Sequence, residues 1–410
     1  MNVLSLFDGM SCGQQALEKS NIQIDNYFAS EIDKYAIKVT QANYPKTKQL
    51  GSVINVDGYS LPRIDLLLGG SPCQSFSFAG RRKGMSTKDQ QEILTIEHYL
   101  ELKSEGFEFE GQSYLFWEYI RLLKEVKPKY FLLENVMMGD KWEKILSKAI
   151  GVNPIEINSS LVSAQNRRRL YWTNIGMIPW GLFGDLESII QQPKDKGILL
   201  KDILEDNMYP RYKLSDVKAD RVLNTPRGIG HFYNKDSKKI GALISSYSKQ
   251  PTDGSYIEED VDDKYYLSKK ALKLLGPAII KKSISKDKSM TIDSSYYKGV
   301  GIRCGDCRQV VEGKREVKQL NASLESGGYQ PYPQNRVYDI NGLNPALTTL
   351  WNGSNLINTT KIRRLTPLEC ERLQTVKDNY TNHVSDTQRY KMLGNGWTVD
   401  VISHILNHMK

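Results

Sequence analysis

The sequence predicts a parallel, doubly wound α/β sheet. Over the first 175 residues, short apolar strands alternate with helical runs. Those strands carry apolar side chains on both faces, and the chemically versatile residues fall where strands end. Val3 to Phe7 reads as the first strand, followed by the turn Asp8-Gly9-Met10-Ser11-Cys12-Gly13 and a helical run through Leu17. Tyr27 to Ser30 is the next strand, ending at Glu31-Ile32-Asp33 before a helix to about Ala42. Ile64 to Leu68 is another apolar strand. The helix Leu115 to Glu125 precedes the strand Tyr130 to Leu133, which ends at Glu134-Asn135-Val136.

Composition bounds the rest. The chain has 410 residues, 40% hydrophobic and 25% charged, which suits a globular protein of one large domain or two ordinary ones. It has no run of eighteen apolar residues, so no membrane span is expected. Met1 to Phe7 lacks a basic region before its short apolar run and reads as a strand, not a signal peptide. The five cysteines (12, 73, 304, 307 and 370) are odd in number and scattered, which fits a reducing cytoplasm. A net charge of +9 fits a polyanionic partner.

The strand at Ile64 runs into Gly69-Gly70-Ser71-Pro72-Cys73-Gln74 and delivers a cysteine at its carboxyl end. Access and thiolate character decide thiol reactivity, so a loop cysteine here is a candidate nucleophile. The alternative is a small apolar side chain in a turn. Phe7-Asp8-Gly9-x-x-x-Gly13 lacks the full phosphate-binding glycine fingerprint, which disfavours a nucleotide-dependent oxidoreductase. Glu31 is placed to accept hydrogen bonds from a ribose diol, or is a solvent-facing carboxylate. Three further segments have plain alternatives: Glu134 as a capping carboxylate, Gln165 to Arg169 as basic surface, Gly394 to Val399 as a turn-to-strand join. Thr366 before Pro367 and Glu369 marks a capped helix that serves packing.

Taken together, Phe7-Asp8-Gly9-Met10-Ser11-Cys12-Gly13, Gly70-Ser71-Pro72-Cys73-Gln74, Glu134-Asn135-Val136, Gln165-Asn166-Arg167-Arg168-Arg169, Arg364 to Gln374 and Gly394-Asn395-Gly396-Trp397-Thr398-Val399 resemble the cytosine-C5 DNA methyltransferases of bacteria and phages. The motifs occur in that family's order and cover both ends of the chain. The resemblance implies a Rossmann-like S-adenosylmethionine-dependent methyltransferase fold with a smaller, variable target-recognition domain. Residues 1–175 and 361–410 would form the catalytic part and 176–360 the recognition part. It implies Cys73 as the nucleophile adding to cytosine C6, and Glu134 as the group holding or protonating N3. Arg167 and Arg169 would contact the flipped base and support the cysteine loop. S-adenosylmethionine would be held by Phe7, Asp8, Gly9, Met10, Gly13, Glu31, Ile32, Ser52, Val53, Pro72, Asn395, Gly396 and Trp397, with no metal.

The expected partner is double-stranded DNA, touched by Gln74, Ser75, Arg81, Arg82, Arg227, Lys298, Arg303 and Arg336. A basic loop, Ser75 to Gly84, would close over a cytosine rotated out of the stack. A monomer without membrane attachment is expected, in the cytoplasm, sharing its site with a cognate restriction endonuclease but not bound to it. Cys304-x-x-Cys307 resembles half a zinc site and has no second pair nearby. A tRNA cytosine-C5 methyltransferase shares the catalytic logic, and a catalytically silent DNA-binding protein shares the scaffold. The long insert argues for DNA; intact Pro72-Cys73 and Glu134 argue for catalysis.

Three places depart from the family pattern. Gly51-Ser52-Val53 stands where many relatives have Gly-Asp to hold the adenine amino group, leaving Asp57 or a backbone group to substitute. Gly-Asn-Gly-Trp replaces a commoner form with serine then valine. Thr87 to Gly111 is an insertion whose acidic, helical character predicts a surface excursion.

Overall fold

The central sheet is built from β1 (Asn2–Leu6), β2 (Asn26–Ser30), β3 (Lys48–Gln49), β4 (Leu66–Gly69), β5 (Tyr130–Val136), β6 (Ile155–Asn158) and, beyond the short β7 (Gln165–Asn166), β8 (Arg168–Thr173). The strand order is β3-β2-β1-β4-β5-β8-β6. This computed structural model describes residues 1–72, 85–180, 185–205, 212, 214, 232–234, 236–245, 247, 255–258 and 362–409. These belong to one unit formed by Met1–Glu258 and Ile362–Lys410.

The sheet is mixed, and the strands read from the sequence, β1, β2, β4 and β5, run parallel as expected. β3 through β5 run parallel, but β8 is antiparallel to both β5 and β6. Chain length explains the reversal: residues 159–167 between β6 and β8 are too few for a parallel crossover, which takes a dozen or more.

Strand side chains alternate between two buried clusters, as a period of two demands. Val3, Leu66, Leu68 and Leu132 enter one cluster; Leu4, Leu67 and Leu133 enter the other. The first face is covered by α1 (Cys12–Lys19), and the second by α3 (Ile96–Ser104), α4 (Phe116–Val126) and α5 (Asp140–Ile150); α2 (Lys34–Asn43) links β2 to β3. The C-terminal helices are α6 (Pro367–Leu373), α7 (Asp386–Asn395) and α8 (Val399–Leu406). Ile402 and Ile405 of α8 join the α1 face, and Ser403 Oγ lies 2.7 Å from Ser20 Oγ. The C-terminal segment therefore completes the sheet's first layer.

α6 begins as its sequence indicates. Thr366 Oγ1 accepts from the Glu369 amide at 3.1 Å, and Glu369 Oε2 accepts from the Thr366 amide at 2.8 Å, with Pro367 first in the helix. The insertion is not a surface excursion. α3 turns Glu97, Glu101 and Glu105 outward but buries Ile96, Tyr99 and Leu102 against α4. Tyr99 Oη and Lys103 Nζ each donate to the buried Glu118 Oε1 at 2.5 Å, and Arg121 Nε donates to Oε2 at 2.7 Å.

Described residues between 185 and 258 pack on the same framework. Ile190, Leu200, Ile240, Leu243, Tyr247 and Ile257 enter the first cluster, and Ile240–Gly241 pairs in parallel with β7. Among the described residues, no helix is long and apolar enough to cross a membrane.

Candidate active site

The carboxyl ends of β1, β2, β4 and β5 open onto one cavity of about 880 Å³. That volume lies within the range of small-ligand sites. The turn after β1 places Phe7, Gly9 and Ser11 at φ 56°, 57° and 59°. A left-handed glycine is unstrained, but a bulky phenylalanine there is a stored cost of order 1–3 kcal/mol that neighbours must hold. Asp8 does so from beneath, accepting from Tyr27 Oη at 2.8 Å and from Ser11 Oγ. Burial pushes the Asp8 carboxyl up to about 6, against the pull of hydrogen bonds from Ser11, Ser5 and Tyr27.

Glu31 closes the turn from β2. Its Oε2 accepts from the Gly9 amide at 2.7 Å, and its Oε1 accepts from the Ile32 and Asp33 amides at 2.8 Å. The carboxylate is thus fixed at the cavity wall rather than free in solvent. Beside it, Ile32 and Ile54 line the cavity while 70% and 40% exposed, an apolar surface offered to a ligand. Ser52 and Val53 line the same wall. Asp57 does not stand in for the missing acid. It is exposed, lies off the cavity, and caps the following turn by accepting from the Tyr59 amide at 3.0 Å.

Phe7, Asp8, Gly9, Met10, Pro72, Asn395, Gly396 and Trp397 also line the cavity. Gly13 does not. A Cβ there would lie 2.8 Å from both Leu68 Cδ1 and Tyr27 Oη, so this glycine lets α1 sit close on the sheet.

The opposite wall comes from β5 and β8. Their register sets Glu134 opposite Tyr171 and Val136 opposite Arg169. Arg169 therefore reaches diagonally to Glu134, with Nε 3.0 Å from Oε1. Trp397 Nε1 donates to Glu134 Oε2 at 3.1 Å. Arg167 is buried and gives its guanidinium to the carbonyls of Leu243, Gly396 and Gly394 at 2.9, 3.0 and 3.3 Å. Arg168 points the other way, onto half-buried Glu156 at 2.5 and 2.8 Å. The period of two thus divides the arginine run: two line the cavity and one is surface.

Asn135 Nδ2 donates to Ser71 Oγ at 3.0 Å, fastening the end of β5 to the loop after β4. Gly70, Ser71 and Pro72 line the cavity immediately before Cys73. Cys73 itself lies outside the described residues. So do Gln74, Ser75, Arg81, Arg82, Arg227, Lys298, Arg303, Cys304, Cys307 and Arg336. Two cysteines are described. Cys12 lines the cavity, but burial pushes its thiol up to about 12, so its thiolate fraction at neutral pH is of order 10⁻⁵. Burial likewise raises Cys370 far above the ordinary thiol range.

The model of the C-5 cytosine-specific DNA methylases matches residues 1–410. The chain belongs to this family. The enzyme is a DNA cytosine-C5 methyltransferase, and its sheet is the Rossmann-like methyltransferase fold. It is 27% identical over 467 residues to the orphan methyltransferase M.SPRI of Bacillus phage SPR, covering 100% of this chain and 97% of that protein. It is 25% identical over 423 residues to the type II methyltransferase M.BanI of Aneurinibacillus aneurinilyticus, covering 97% and 91%. Two solved structures share the fold. Spodoptera frugiperda DNMT2, as a triple mutant, has TM-score 0.55 at 18% identity, covering 99% of this chain and 98% of its own. Entamoeba histolytica EhMeth has TM-score 0.57 at 15% identity, covering 100% and 97%.

Family membership implies S-adenosylmethionine as methyl donor, and the methyltransferase's cavity has the donor set for it: a fixed carboxylate, exposed isoleucines and turns rich in backbone amides. Sequence reading missed Gln112, Tyr114 and Leu115, which reach the cavity from the loop before α4. It also missed Lys391 of α7, which lines the cavity and pairs with Asp33 Oδ2 at 2.5 Å. The helix read from Leu115 marked where the chain returns from the insertion to α4. Nothing local marked Lys391, whose partner lies far away along the chain.

Proposed function

We propose that this methyltransferase modifies a cytosine flipped out of duplex DNA at a short specific sequence, through a bond from Cys73 to C6. The observation that supports this most is the Glu134–Arg169–Trp397 group, set beside the Gly70-Ser71-Pro72 strand end that leads into Cys73.

Cytosine C5 is a weak nucleophile. Addition of the Cys73 thiolate to C6 pushes the C5–C6 π electrons toward C5, while Glu134 supplies a proton at N3 and Arg169 keeps the carboxyl in place. When bound, S-adenosylmethionine supplies the methyl group to C5. Loss of the C5 proton to water then restores the double bond and expels the Cys73 sulfur as thiolate, while N3 returns its proton to Glu134. Cys12 is too weakly ionised to take this role. Nucleophile, proton and methyl group are all accounted for without a metal.

Glu31 would hold the cofactor's ribose, Ile32 and Ile54 would flank the adenine, and the backbone at Ser52 and Val53 would meet the adenine's amino edge. The turn Phe7 to Met10, Pro72 and the segment Asn395 to Trp397 would surround the methionine portion. Residues 176–360 would read the sequence, with Arg227, Lys298, Arg303 and Arg336 among the contacts, while Gln74, Ser75, Arg81 and Arg82 approach the flipped base. We place the enzyme in the cytoplasm as a monomer, acting beside a restriction endonuclease rather than in complex with it.

Bisulfite sequencing of plasmid DNA from a methylation-deficient host expressing the chain tests this reading. Methylcytosine at one short motif is expected. Unmethylated DNA despite folded protein overturns it, and tRNA is then the substrate to assay.

A further inference from the structure

We propose that Trp397 is a positioning residue whose indole N–H holds the Glu134 carboxyl in the orientation needed at cytosine N3. The proposal rests on the role given to Glu134 above. Each carboxylate oxygen has its own donor from a different element. Arg169 Nε of β8 lies 3.0 Å from Oε1, and Trp397 Nε1, between α7 and α8, lies 3.1 Å from Oε2. Glu134 and Trp397 are each only 9% exposed, so water does not readily replace either donor.

The indole is itself held. A Cβ on Gly70 would lie 2.8 Å from Trp397 Nε1 and 3.2 Å from Cε2 and Cζ2, so the ring lies against the bare Cα of the strand end that leads into Cys73. Just before the ring, the Gly396 carbonyl is gripped by Arg167 at 3.0 Å. Just after it, Thr398 Oγ1 lies 2.8 Å from Ser159 Oγ and donates to Gln374 Oε1 at 2.9 Å. A side chain pinned on both sides is a preorganised support, the condition for placing a reacting group accurately.

The physical need is specific. An arginine beside a carboxylate favours a two-point, parallel pair. Without the indole donor, Glu134 Oε2 is free to swing onto the Arg169 guanidinium and turn its edge away from the base. Trp397 divides the carboxylate between two donors and keeps it facing the cavity. Among the described residues, Arg169 and Tyr171 on β8 and Arg167 before it are charged or titratable groups near Glu134, and Oε2 accepts from the Trp397 indole.

The test replaces Trp397 site-specifically with benzothienylalanine, which keeps the ring shape but puts sulfur in place of N–H, alongside Trp397→Phe. The full-length enzyme is assayed with duplex DNA, and S-adenosylmethionine affinity is read by calorimetry. We expect kcat to fall at least tenfold in both variants, while the benzothienyl variant, which keeps the ring surface, holds cofactor Kd within threefold of wild type. On a Glu134→Gln background the same replacement should change kcat less than twofold, because the shared interaction is already lost. A benzothienyl variant within threefold of wild-type kcat overturns the proposal, as do losses that simply multiply in the double variant. Wild-type kcat in Glu134→Gln alone instead overturns the catalytic role of Glu134 on which the proposal rests.

Discussion

Replacing Glu31 with alanine isolates the cofactor half of the site from the cytosine half. A carboxylate has about four lone-pair positions. Protein amides occupy three of them: Ile32 and Asp33 on Oε1, Gly9 on Oε2. One position on Oε2 remains for a ribose hydroxyl, and a hydrogen bond to a charged group is worth about 1.5–3 kcal/mol. Freeing the Gly9 amide also loosens the turn that holds Phe7 in its left-handed conformation, adding about 1 kcal/mol to the binding loss. The total of about 3 kcal/mol corresponds to roughly a 150-fold weaker cofactor Kd. Stability should change far less, since water reaches the Ile32 amide and that of Asp33 lies only part-buried. Calorimetric titration of S-adenosylmethionine into wild type and variant measures the first effect, and thermal melting measures the second. With cofactor saturating, kcat should stay within about threefold, because Glu31 lies on the wall opposite Glu134. A variant Kd within threefold of wild type would refute the assignment of this wall to the ribose.

Three other outcomes are expected. Burial raises the Asp8 carboxyl from 3.8 to about 6, so the folded state binds this proton more tightly than the unfolded chain. Its contribution is therefore full below pH 4 and is lost as pH rises through 6; the wild-type melting temperature minus that of Asp8→Asn should decline across that window, and a flat difference contradicts the assignment. Cys12→Ala should keep methyl transfer within threefold of wild type while Cys73→Ala abolishes it with DNA binding retained; the reverse pattern in a filter-binding and methylation assay would move the nucleophile. In Gly394→Ala the new Cβ would lie 2.3 Å from backbone atoms of Ile244 and Ser245, which should cost about 2 kcal/mol or more in urea denaturation. An unchanged midpoint would show that residues 240–245 do not pack there.

Much of this architecture was legible because it is local. The apolar runs before Asp8, Glu31 and Glu134 announce strands buried on both faces, and Thr366-Pro367-x-Glu369 announces a capped helix. β8 was harder to see. It opens on Arg168 and Arg169, which read as surface, and its strand character lies in the buried Leu170 to Thr173 that follow. The insertion misled because Glu97, Glu101 and Glu105 dominate its composition, whereas Ile96, Tyr99 and Leu102 decide where it sits. Gly13 carried the look of a cofactor glycine but serves helix packing. The support under the site was not legible at all. Tyr27 beneath Asp8, Lys391 on Asp33 and Trp397 on Glu134 are contacts across long sequence separations, and no periodicity encodes them.

The central claim is that this chain methylates DNA cytosine through Cys73. A duplex carrying 5-fluorocytosine at the target position tests it most directly, because fluorine cannot leave C5 as a cation and the adduct is trapped. Incubation with S-adenosylmethionine followed by peptide mapping should give a stoichiometric covalent complex on the peptide containing Cys73. A trapped complex on Cys12, Cys304, Cys307 or Cys370, or active enzyme that forms no adduct, would contradict the account.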